Sequence, residues 1–207
     1  MAKLTILYSY FGQQEMVKKQ VKEWKKYQGK ADLVYVDDCS KVPFVKPDGV
    51  TAYRVLDDIK WNQGGARNLG MSKQKGWVIV LDMDYLVTEK NIEQILALKP
   101  KKGTVYYFGR TGEPISYTLY LIHSDDFKKT GGYDEDFSGH YGWEDALFNR
   151  RVKDALNREV HEEIKIKYFP GESSGGEDGQ RNRDLLNWKL MFPEKTKKNI
   201  SFEWKTL

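Results

Sequence analysis

The chain has 207 residues, 34 basic against 30 acidic, for a formal net charge of +4. That length suits one domain with a real core and is short for two, and so mild a basic excess lacks the concentrated stripe of a dedicated nucleic-acid binder. A single cysteine, Cys39, excludes an internal disulfide and a cysteine-based metal cluster.

Leu4 to Tyr8 is an apolar run suited to a buried first strand, and the N-terminus enters it directly, with no signal-peptide pattern. No apolar stretch approaches the roughly 18 residues of a membrane span. The expectation is a cytoplasmic protein without a membrane span. Past the Gly12 turn, Val17, Val21 and Trp24 recur at helical spacing among Lys, Gln and Glu, which predicts an amphipathic helix packed on a sheet. Leu33 to Val36 reads as a second strand and runs into Asp37-Asp38-Cys39-Ser40. Strand, helix and strand in that order imply a parallel, right-handed crossover. An acidic pair at the end of a second parallel strand is placed to accept hydrogen bonds from a nucleotide's base or ribose; otherwise one Asp caps a turn. A loop with two prolines, Lys41 to Gly49, leads to a third short strand, Tyr53 to Leu56.

The stretch Gly64 to Leu86 carries the most chemistry. It reads as a glycine-rich turn, a helix with Arg67 and Asn68 at its start, a tight turn at Lys75-Gly76 and an apolar strand, Trp77 to Leu81. The strand ends in Asp82-Met83-Asp84, at the carboxyl end where open α/β sheets place their ligands. In an extended segment Asp82 and Asp84 face one side and Met83 the other. Two carboxylates aimed together suit a hard divalent cation, Mn2+ or Mg2+. Arg67, in the first turn of its helix, offers a planar fork of donors to a diphosphate, or else pairs with a nearby aspartate.

Beyond it, Ile92, Ile95 and Leu96 mark a helix that Pro100 ends, and Val105 to Phe108 and Leu119 to Ile122 read as strands. Glycines and aromatics from Gly131 to Trp143 predict a shaped loop, after which Leu147/Phe148, Val152 and Ala155/Leu156 are helical. Glu144 and Asp145 therefore occupy a helix N-terminus, where negative charge is stabilised and where a carboxylate beside aromatic walls could act as a general base or simply as a cap. Ile164, Ile166 and Tyr168 alternate as an edge strand, Phe169 to Arg183 reads as a mobile loop, and Asp184 to Met191 as a last helix folding back over the site.

These motifs, taken in order, resemble a known family. The acidic pair with its serine, then GARNLG, then an apolar strand into DMD resemble family 2 glycosyltransferases of the GT-A fold. GGYDEDF followed by GWEDALFNRR resembles the C-terminal motif of β-1,4-galactosyltransferases. The resemblance covers Leu4 to Arg151. It implies a single-domain α/β fold of GT-A (Rossmann-like) type, with a mixed, mainly parallel sheet flanked by helices. Residues 1–86 would form the nucleotide-sugar-binding half, 87–170 the acceptor and catalytic half, and 171–207 a mobile loop and C-terminal helix.

The function so implied is inverting, metal-dependent transfer of a sugar from a nucleotide sugar, UDP-linked by preference, to a hydroxyl of a saccharide. Asp37, Asp38, Arg67, Asn68, Asp82 and Asp84 would contact the nucleotide sugar, with Asp84 and Asp82 also holding the metal. Asp145 matches the catalytic base, Glu144 the acceptor ligand, and Trp143 and Tyr141 an acceptor platform. The family often supplies a metal-binding histidine after the catalytic helix, but the only one following here, His161, stands ahead of a strand; Glu172, Asp178 and water are candidates in its place, and no third ligand is assigned. Cys39 replaces the usual glycine, and GWED lacks a second glycine found in the galactosyltransferase motif. Alternatives are a retaining transferase, a transferase acting on a modified DNA base, a nucleotide-sugar-binding module without turnover, and a nucleotidyltransferase.

Overall fold

The apolar runs assemble into one mixed sheet in a computed structural model that describes residues 3–170, 179–192 and 199–207. Among the described residues the strands are β1 (Leu4–Tyr10), β2 (Ala31–Asp37), β3 (Thr51–Val55), β4 (Trp77–Asp82), β5 (Tyr85–Leu86), β6 (Thr104–Arg110), β7 (Tyr120–His123), β8 (Asn157–Tyr168) and β9 (Trp204–Thr206), in the order β5-β8-β6-β7-β4-β1-β2-β3-β9. The helices are α1 (Gln14–Trp24), α2 (Gln63–Ser72), α3 (Glu89–Ala97), α4 (Ser124–Lys129), α5 (Glu144–Ala155) and α6 (Gly179–Met191). β1 lies at the centre, parallel to both β2 and β4. The strand order reverses there, so the carboxyl ends of β1, β2 and β4 open a crevice at a topological switch point.

Both faces of the central strands are buried. Leu4, Ile6 and Tyr8 of β1 pack with Val17, Val21 and Trp24 of α1 on one side. Leu7 packs with Ala66 and Leu69 of α2 on the other. That is why β1, β2 and β4 read as continuous apolar runs rather than as alternating ones.

Several expectations change. Gly64 and Gly65 lie inside the first turn of α2, not in a preceding turn. They are glycines for closeness: a Cβ at position 65 would stand 2.2 Å from Asn62 Oδ1, and one at position 70 would stand 2.5 Å from a Leu7 methyl. The strand expected at Ile164 begins at Asn157, and its last residues pair with β5, so it is not a sheet edge there. It also runs parallel to β6, with a bulge at Phe108/Gly109. α6 starts at Gly179, so Gly179 to Arg183 are helical; residues 171–178 of the expected mobile loop, with Glu172 and Asp178, lie outside the described residues. No helix among the described residues is long and apolar enough to cross a membrane.

Candidate active site

β4 delivers Asp82 as its last residue, and the chain then turns at Met83-Asp84 into β5. The two carboxylates are thus presented by a strand end and a turn rather than by one extended segment, while Met83 drops into the core. The turn is pinned from three sides. The buried amide of Gln20 on α1 donates to the carbonyls of Met83 and Tyr85, each at 2.9 Å, on either side of Asp84. Tyr8 Oη donates to the Tyr85 carbonyl at 3.2 Å, and Phe169 N to the Asp84 carbonyl at 2.8 Å. Asp84 Oδ1 is buried without a partner. Burial, and then the charge of Asp82, push its carboxyl up to about 7.

Arg67 is the hub of the site. It lies in the second turn of α2, with a fully buried side chain, and it pairs with two aspartates. One terminal nitrogen donates to Asp82 Oδ1, and the other donates to Asp145 Oδ1 at 2.6 Å. Its guanidinium sits over the Tyr133 ring, 5.1 Å from the centroid. Gln63, at the start of α2, adds a second bond to Asp82 Oδ1 at 2.6 Å. One cation therefore ties the end of β4 to the start of α5, where Asp145 lies 78 residues beyond Arg67.

Asp145 stands second in α5 beside Glu144, where the helix dipole favours negative charge. Both its bonds from Arg67 and Tyr133 fall on Oδ1; Oδ2 accepts none from the described residues, and the side chain is 28% exposed. Burial raises its carboxyl, opposed by Arg67. Glu144 is buried, its Oε2 has no partner, and burial followed by the charge of Asp145 pushes it up to about 7.

The second acidic pair divides its labour. Asp37 is fully buried and holds the following loop: it accepts from Ser40 N and Phe44 N and pairs with Arg54. Only Asp38 turns towards the crevice, accepting from Asn62 N and Nδ2 at 3.2 Å each. Burial, opposed by those two bonds, pushes it up to about 7. Asn68, also expected among the donor contacts, is spent on the 131–137 loop: it donates to the Tyr133 carbonyl and Glu135 and accepts from Tyr133 N, all at 2.9 Å.

Tyr141 and Trp143 flank the crevice, both exposed. Trp143 precedes α5 in the left-handed region, with φ +73°. Trp61, which the sequence did not single out, packs edge-on to Tyr141 at 4.6 Å with φ +54°. Its indole nitrogen is buried without a partner. Cys39 likewise takes φ +50° where a glycine is usual. Left-handed conformations on non-glycine residues cost energy and gather at ligand sites.

Buried polar atoms are normally satisfied. Six among the described residues are not, and five belong to this crevice or its walls: Asp84 Oδ1, Glu144 Oε2, Arg67 Nε, Trp61 Nε1 and Ser9 Oγ, whose residue pairs with Asp82 in the sheet. No group of three metal-ligating side chains occurs among the described residues. His161 is remote from the crevice in role and partner, bonded to Glu163 at 2.9 Å and stacked on Tyr106. A cation here would take Asp82 and Asp84 from the protein and the rest from ligand or water, which Asp84's open oxygen fits.

No family model matches the sequence, and no curated protein is similar to it. Solved structures are similar in fold. The catalytic domain of Drosophila β1,4-galactosyltransferase 7, in complex with xylobiose, matches with a TM-score of 0.64 at 15% identity, over 90% of this chain and 80% of that one. A mutant of that enzyme with manganese, UDP-Gal and xylobiose matches at 0.61 and 14% identity, over 88% and 80%. A mannosyltransferase from Pyrobaculum calidifontis, in complex with GDP-Man and Mn2+, matches at 0.62 and 10% identity, over 83% of this chain and 58% of that one. The chain has the GT-A fold of these glycosyltransferases.

Proposed function

We propose that the chain is a metal-dependent glycosyltransferase. It moves a sugar from a nucleotide sugar, UDP-linked by preference, to a hydroxyl of a saccharide with inversion at the anomeric carbon. The observation that carries this reading is the cluster of buried, partnerless polar atoms around Arg67, two of them carboxylate oxygens. Such a cluster is costly without a ligand and useful with one. The fold supports it, as do Mn2+ and nucleotide sugars in structures of similar fold.

In this reading Asp82 and Asp84 hold a divalent cation, Mn2+ or Mg2+, which when bound neutralises charge on a departing diphosphate. Asp38, fixed by Asn62, faces the nucleotide. Tyr141, Trp143 and Trp61 present rings and an indole N–H to a sugar, and Glu144 accepts from an acceptor hydroxyl. Asp145 Oδ2 takes the proton of the attacking hydroxyl while Arg67 and Tyr133 keep Oδ1 occupied. The attack runs from the face opposite the leaving group, through an oxocarbenium-like state.

The test is calorimetric titration of UDP, with GDP beside it, in Mn2+ and again in EDTA. UDP binding should require Mn2+ and be lost in Asp84→Ala. In Asp145→Asn, binding should persist while UDP release from the competent donor falls at least about a hundredfold, as expected for a lost general base. Binding of neither nucleotide sinks the reading, and binding with intact turnover in Asp145→Asn sinks the base assignment.

A further inference from the structure

Tyr133 Oη lies 3.2 Å from Asp145 Oδ1 and 3.1 Å from Tyr120 Oη. A phenol has one proton and an ionised carboxylate only accepts. The order is therefore fixed: Tyr120 donates to Tyr133, and Tyr133 donates to Asp145. Both rings are fully buried, and burial pushes both phenols far from ionising, so neither serves as a base. Tyr133 cannot swing away. Its ring is stacked on Phe148 of α5 at 4.4 Å and faces the Arg67 guanidinium. Its backbone is tied to Asn68 on both sides.

We propose that Tyr133 is a positioning residue for Asp145: with Arg67 it places two donors on Oδ1, which fixes the rotation of the carboxylate, leaves Oδ2 as the proton-accepting oxygen and sets that oxygen's proton affinity. The inference rests on the reading of Asp145 as the acceptor's base. The charged and titratable groups facing Asp145 are Arg67 from α2, Asp82 from β4, Tyr120 from β7, Tyr133 from its loop and Glu144 on α5 itself. Of these, Arg67 and Tyr133 bond it directly. A hydrogen bond to the charged form lowers a carboxyl's proton affinity, so removing the phenol donor raises it.

The experiment titrates the full chain carrying carboxyl-13C aspartate by NMR, with the Asp145 resonance identified by its loss in Asp145→Asn. In Tyr133→Phe the Asp145 midpoint should rise by about one pH unit. Tyr120→Phe, which keeps the inner bond, should raise it by less than half as much. UDP affinity in Mn2+ should stay within about twofold, and the acid limb of kcat/KM for UDP release from UDP-galactose or GDP-mannose, whichever turns over, should move with the midpoint. If Tyr133→Phe strands the Tyr120 hydroxyl and fails to fold, the double variant Tyr120→Phe/Tyr133→Phe carries the same titration. An unmoved midpoint overturns the proposal. A moved midpoint beside full turnover in Asp145→Asn overturns the base assignment instead, and the positioning role with it.

Discussion

Replacing Arg67 with methionine keeps much of the side chain's volume and removes the charge that Asp82 and Asp145 share. Breaking a buried ion pair by deleting one partner costs about 3–5 kcal/mol, because the surviving charge is left uncompensated. Here the arginine is fully buried, but the side chains of Asp82 and Asp145 remain 25% and 28% exposed, so water recovers part of the loss. The lower end, about 3 kcal/mol, is the working figure. It is a large share of the roughly 5–15 kcal/mol that holds a domain together. With a urea slope of about 1–3 kcal/mol/M, the midpoint should fall by roughly 1–3 M with the slope unchanged. The deficit should depend on pH. Without Arg67, the carboxyls of Glu144 and Asp145, already raised by burial, lose the positive charge that opposes the rise. The native state then binds more protons than the unfolded state, so stability falls as pH rises. The gap between variant and wild type should be widest near pH 8 and narrow towards pH 5. A loss below about 1 kcal/mol, or an equal loss at both pH values, would refute the reasoning.

Two further outcomes follow from individual side chains. Glu144 has its folded pKa raised from 4.5 to about 7, so wild-type stability is lost as pH climbs through that window. Glu144→Gln should melt with wild type at pH 4.5 and above it at pH 8.5, by about 2–4 °C for each kcal/mol relieved; identical melting at both pH values would exclude the buried charge as a cost. Gly109 sits at the bulge between β6 and β8, where a Cβ would come within 2.4 Å of the Glu162 carbonyl oxygen. Gly109→Ala should lose about 2 kcal/mol or more by thermal melting, since backbone must move to admit it; wild-type melting would show that the bulge yields freely.

The parts of the fold that the sequence announces are those where burial, not pairing, selects the residues. β1, β2 and β4 are covered on both faces and read as apolar runs; α1 shows one apolar stripe. Only the second half of β8 is legible, because Asn157 to Glu163 is mostly charged and exposed and only its backbone pairing with β6 makes it a strand. β5 and β9, of two and three residues, are too short for any periodicity to register. α4 is six residues, capped by His123 rather than by a usual N-cap side chain, and it too left no pattern.

At the site, residue type carried the carboxylates, but contacts across the chain decided what each one does. Asp37 and Asp38 are identical and adjacent, yet one meets Arg54 in the interior and the other meets Asn62 at the crevice. Gln20 and Tyr133 are ordinary residues in the sequence; they matter because they lie 63 residues from Met83 and 12 from Asp145. Arg67 shows the limit most clearly. As a sequence feature it suits either a diphosphate or an aspartate, and in the fold it is buried between two aspartates, with its Nε unpartnered. Asp82, Asp84, Glu144 and Asp145 thus surround a region holding one buried guanidinium, and two of the four carboxyls are pushed to about 7. Burial and neighbouring carboxylates raise both, and the guanidinium offsets that only in part. The acidic residues are therefore better understood as one electrostatic unit around the fixed charge of Arg67.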